Sequence, residues 1–212
     1  MRRRLIAWAL FIALVSAVAY ASRFASGPPD RNALYKWSTA VSELFVFAVI
    51  VAVTLAITGS QRQLLALRQP YSWRQALTLA VPVFIAVFVV ISALDRALHG
   101  AKEQGLVPKH WEPGHAGAYA ANFIVIAGVA PFAEELLFRG LGYSLLEPFG
   151  RWTAILTVGI AFGFYHGLVE ALPELALFGC VLAWLRSRTG SVYPGMLAHA
   201  TFNTIGLLSI FF

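Results

Sequence analysis

Apolar residues in this chain gather into seven runs, at 5–22, 38–58, 76–94, 117–138 or beyond, 152–168, 171–185 and 192–212, each near the roughly 20 residues that cross a bilayer. Inside hydrocarbon a segment must satisfy its own backbone N–H and C=O groups, so runs of this length fold as helices. The chain therefore reads as all-α, a polytopic transmembrane bundle of about seven spans; an eighth would have to hide in the loop between residues 95 and 117. Charged residues make up 12% of the sequence, against about 25% in an average globular domain. Mean hydropathy is +0.72. The whole is one membrane domain, with N-terminal spans and loops over 1–116 and the chemistry-bearing helices over 117–212.

The net charge of +6 is spread singly between apolar runs, without the aromatic and basic strip of a nucleic-acid surface, so no nucleic-acid partner is expected. The excess follows topology instead. Arg2, Arg3 and Arg4 precede the first run, and Arg62, Arg68 and Arg74 fill the second connection without an acidic residue. Arg139, Arg151, Arg186 and Arg188 fall on the same side, which by the positive-inside rule makes the N-terminus cytoplasmic and, with seven spans, the C-terminus external. The expected location is the plasma (inner) membrane. Arg2–Arg4 and Ala19-Tyr20-Ala21 also fit a cleaved signal peptide, but the apolar run is longer than such a leader needs. Trp8, Trp37, Trp73, Trp152, Trp184 and Tyr193 fall near run ends, as an interfacial belt would. Cys180 is the only cysteine, which excludes an internal disulfide and a cysteine-based metal site.

Against this apolar background the pair Glu134-Glu135 stands out. An ionised side chain at a span's centre costs about 2.5–3.5 kcal/mol on insertion scales, so charge there points to function. Arg139 lies four residues after Glu135, on the same helix face. Glu134 is about 140° from Arg139 around an α-helix, which leaves it without that partner. Phe162 and His166 share a face of the next helix, and His199 and Asn203 share a face of the last. Depth supplies a condition. Glu134 and His166 lie at one level only if the fourth helix runs on past Arg139 to about Glu147, so a long fourth helix is expected, bent at Pro131. Glu43 is expected to face the surface near a helix start.

Glu134-Glu135-Leu-Leu-Phe-Arg139-Gly140, Phe162-x-x-x-His166 and His199-x-x-x-Asn203, in this order on successive membrane helices, resemble the three motifs of the CAAX protease and bacteriocin-processing family of glutamic intramembrane proteases. The resemblance covers about residues 122–207. It implies an intramembrane endopeptidase acting on a membrane-embedded or lipid-anchored peptide. Glu134 would activate water, His166 would orient it, Glu135 and Arg139 would brace the site, and His199 and Asn203 would form an oxyanion hole. Phe162 would pack beside His166. No metal is expected, because Asn203 is a poor zinc ligand and no His-Glu-x-x-His occurs; a zinc form of the same protease is the rival mechanism. A proton-coupled transporter and a non-catalytic scaffold are the readings from other classes.

Overall fold

A computed structural model describes residues 1–25, 29–105 and 107–211, and among these no strand occurs. Every apolar run is helical: α1 Arg2–Ala25, α2 Trp37–Thr58, α3 Trp73–Leu98, α4 Pro113–Phe149, α5 Arg151–Tyr165, α6 Leu172–Thr189 and α7 Tyr193–Leu208. The expected last run extends to residue 212, which lies outside the described residues. Between α3 and α4 stands only a five-residue helix, Gly100–Gln104, in place of an eighth span. α1 to α4 are long and apolar enough to cross a membrane. α5, α6 and α7, with 15, 18 and 16 residues, are shorter than full spans. The turn after α5 therefore stops short of the level reached by α2 and α4.

α1 packs on α2 and α5, α5 on α6, α6 on α3, α3 on α7, α7 on α4, and α4 on α2. The second half of α4 turns inward and is enclosed on all sides. Leu136, Leu137, Phe138, Leu141 and Leu145 are essentially without exposure. Two glycines permit this enclosure. A Cβ at Gly140 would stand 2.9 Å from the Leu65 carbonyl oxygen, and one at Gly142 would stand 2.7 Å from the Trp8 ring. Trp8 is accordingly not part of an interfacial belt. It is buried against α4 and donates its indole N–H to the Leu137 carbonyl at 3.1 Å.

α4 is long, as the depth argument requires, and Arg139 lies within it rather than in a connection. Its helix is not uniform. Val125–Val129 and Leu136–Gly142 adopt π-helical geometry on either side of the α-helical Ala130–Glu135. Pro131 has no N–H to donate, and the π stretch just before it is where the ladder adjusts.

Candidate active site

Glu135 and Arg139 are fully buried, and Glu134 is 4% exposed. The i,i+4 spacing brings Arg139 Nη1 to 2.9 Å from Glu135 Oε1. Arg139 Nη2 donates to the Gly179 carbonyl on α6 at 3.0 Å, and the guanidinium lies 4.4 Å from the centroid of the Phe162 ring. One planar cation thus ties α4, α5 and α6 together through an ion pair, a backbone hydrogen bond and a stacked ring. α7 closes the fourth side at Gly195, where a Cβ would stand 2.7 Å from Glu135 Oε2.

His199 on α7 bridges the two carboxylates. Its Nδ1 lies 3.3 Å from Glu135 Oε1 and its Nε2 lies 3.6 Å from Glu134 Oε2. Phe162 and Phe178 meet the ring edge-on, at centroid distances of 5.6 and 5.3 Å. His166 caps the C-terminus of α5, with Nδ1 2.8 Å from the Phe162 carbonyl. A carbonyl only accepts, so Nδ1 carries the proton and Nε2 keeps a lone pair with which to take one from water. The Phe162 ring packs on His166 at 4.6 Å.

Geometry departs from the sequence reading in two contacts. Glu134 and His166 form no ion pair among the described residues. Glu134 faces His199 instead. The reason is local: His166 is turned back onto its own helix by the Phe162 carbonyl, whereas His199 offers a nitrogen to each of two adjacent carboxylates. Asn203 likewise spends one N–H inside the fold, donating from Nδ2 to the Ile126 carbonyl at 2.8 Å. That oxygen is left over because its π-helical donor, five residues on, would be Pro131.

Glu43 is half-buried rather than turned to the surface. It occupies the stripe of α2 marked by buried Ala40, Phe47 and Ile50. The signal was present in the sequence, since Glu43 is the one charged residue between Trp37 and Thr58 and sits at core spacing. Glu174 is buried at the start of α6.

Between Glu134 and the arginine-rich connections α4 is enclosed. Above the site, α4 has an open stripe, with Ile124 66% and Phe132 45% exposed and Gly128 between them facing open space. An apolar cavity of about 470 Å³ between α1 and α5 includes none of the site residues. Among the described residues no three His, Cys, Asp or Glu side chains form a group able to hold a metal ion.

This buried arrangement of two glutamates, an arginine, two histidines and an asparagine lies within a family match. Residues 116–205 fit the family described as type II CAAX prenyl endopeptidase, Rce1-like. Over that stretch the chain is similar to the CAAX protease family. All seven candidate site residues fall inside the matched stretch, and residues 1–115 and 206–212 fall outside it. With its apolar helices, the family makes the chain an integral membrane protein. No curated protein and no solved structure matches the chain.

Proposed function

We propose that this protein is a glutamic intramembrane endopeptidase that hydrolyses a peptide bond near a membrane-embedded or lipid-anchored segment. One observation carries the reading: Glu134, Glu135, Arg139 and His199 form a continuous charged chain in an interior otherwise filled by leucine and phenylalanine. In this reading Glu134 takes a proton from a water molecule whose oxygen attacks the scissile carbonyl carbon. His166 Nε2 accepts from the same water and aims it. His199 shifts from Glu134 to the developing oxyanion, and the second Nδ2 hydrogen of Asn203 joins it; a single such donor is typically worth about 2.7–4 kcal/mol. The C–N bond then breaks, and the leaving amine carries away the proton that Glu134 held. Glu135 and Arg139 keep His199 in place throughout.

The substrate is a peptide or protein held at the bilayer, and a prenylated C-a-a-X terminus is the first class to test, after the family's description. The open Ile124, Gly128 and Phe132 stripe supports approach from the lipid side. The enzyme resides in the plasma (inner) membrane with its N-terminus cytoplasmic.

The test uses purified protein in liposomes with a farnesylated C-a-a-X peptide. Wild type is expected to release the terminal tripeptide, and Glu134→Gln and His166→Ala each to lose at least 100-fold in kcat. Equal cleavage by wild type and both variants would sink the assignment. Loss of activity on chelation, restored by zinc, would transfer the mechanism to the metal-dependent form.

A further inference from the structure

The turn between α5 and α6 begins at His166, and it is gripped from residues 167 to 171 by parts of the chain outside the family match. Gly167 has φ +66° and lies so close to α1 that a Cβ would stand 2.7 Å from the Ala19 carbonyl carbon. Tyr20 donates its hydroxyl to the Leu168 carbonyl at 3.0 Å. The next three backbone N–H groups converge on Glu103: Val169 donates to Oε1 at 3.0 Å, Glu170 and Ala171 to Oε2 at 2.7 and 3.1 Å. Arg23 Nη2, at the end of α1, donates to Oε1 at 3.3 Å. The Glu103 side chain is only 4% exposed.

Chemistry explains why a carboxylate is needed there. The amides of Val169, Glu170 and Ala171 lie in the turn just before α6, which starts with Leu172 and Pro173 and has no capping side chain of its own. Ala171 and the Glu103 carboxylate are both buried, so their pairing is made within the fold. A carboxylate from the Gly100–Gln104 helix meets three donors at once, with the favourable sign for a helix N-terminus.

We infer that Glu103 is a positioning residue of the active site, fixing the end of α5 through the 169–171 amides and so aiming the His166 ring. The inference rests on the endopeptidase reading, because its catalytic consequence passes through His166. Glu103 touches no reacting atom. Its effect belongs in kcat rather than KM, since the substrate stripe on α4 is untouched.

The experiment compares wild type, Glu103→Gln, Glu103→Asp and Arg23→Gln in liposomes with the farnesylated peptide. Three readouts are taken: kcat and KM, amide hydrogen exchange over residues 166–172, and the rate at which diethyl pyrocarbonate modifies His166 relative to His199. Glu103→Gln keeps the size but loses the charge and one acceptor oxygen. It is expected to lower kcat about tenfold at constant KM, to speed exchange at 169–171, and to change His166 reactivity at least threefold while His199 stays constant. Arg23→Gln, which leaves the carboxylate in place, is expected to fold and lose about threefold. Glu103→Asp should recover part of both losses. A kcat for Glu103→Gln within twofold of wild type overturns the inference, as does an unchanged His166 rate or a change confined to KM. If wild type itself does not cleave, the endopeptidase reading fails, while exchange and His166 reactivity still decide whether the clamp exists.

Discussion

Arg139 shows how much one side chain can bind together. Its Nη1 pairs with Glu135, its Nη2 reaches the Gly179 carbonyl, and its plane rests on Phe162. A buried ion pair of this kind is costly to assemble but far more costly to break from one side, about 3–5 kcal/mol when one partner is removed. Lysine has the charge without the planar fork, so it cannot make the three contacts together. Arg139→Lys is therefore expected to lower the thermal unfolding midpoint of the detergent-solubilised protein and to abolish peptide cleavage; a variant with wild-type melting and activity would refute this role. Asn203 gives a second prediction. Its Nδ2 compensates the Ile126 carbonyl that Pro131 leaves without a donor. An ionised aspartate only accepts, so Asn203→Asp places an oxygen against an oxygen. It should destabilise by about 1–3 kcal/mol, visible in the same melting measurement, and Asn203→Gln should not restore the geometry. The spacing of His199 and Asn203 was legible in the sequence, but the Ile126 contact was not. It depends on how the π stretch at Val125–Val129 adjusts to Pro131, which spacing rules do not describe.

At the scale of elements, the apolar runs disclosed the helices, and the depth argument disclosed that α4 continues beyond Arg139. The partner of Glu134 stayed hidden, because helical phase says which way a side chain leaves its own helix and nothing about how the receiving ring is turned. The clamp on the α5–α6 turn was hidden for a different reason. Glu103 lies in a short loop helix, surrounded in sequence by Lys102 and Gln104, where an acidic residue ordinarily faces solvent. Burial pushes its carboxyl up, but the Val169, Ala171 and Glu170 donors and Arg23 outweigh this and hold it below its ordinary value. A depressed carboxyl stabilises the folded turn fully above its unfolded pKa, about 4.3, and loses that contribution as pH falls through the lower folded value. Amide exchange over 169–171, corrected for the intrinsic pH dependence of exchange, should thus stay protected at pH 7 and pH 5 and lose protection below about pH 4. The same loss occurring between pH 7 and pH 5 would mean that another group controls the turn.

For the whole molecule, the two ends of the bundle can be told apart by what meets there. At one end Arg4 donates to the Ile57 carbonyl at 3.1 Å and to Gln61 at 2.9 Å. Arg68 reaches the Gly190 carbonyl at 2.8 Å, joining the α2–α3 and α6–α7 connections. At the other end Arg23 meets Glu103, Tyr35 donates to the His110 carbonyl at 2.6 Å, and the Trp111 and Phe211 rings pack at a tilt with centroids 4.9 Å apart. The alternation of connections read from the sequence is thus the alternation of the fold. Arg139 drops out of the charge count, since it is buried in an ion pair, but Arg2, Arg3, Arg4, Arg62, Arg68, Arg74, Arg151, Arg186 and Arg188 still gather at the first end. Positive charge beside a span opposes its translocation, so that end should be cytoplasmic. In a Cys180→Ser background, Lys109→Cys should react with a membrane-impermeant maleimide on intact cells, and Arg151→Cys only after permeabilisation. The reverse pattern would overturn the cytoplasmic N-terminus.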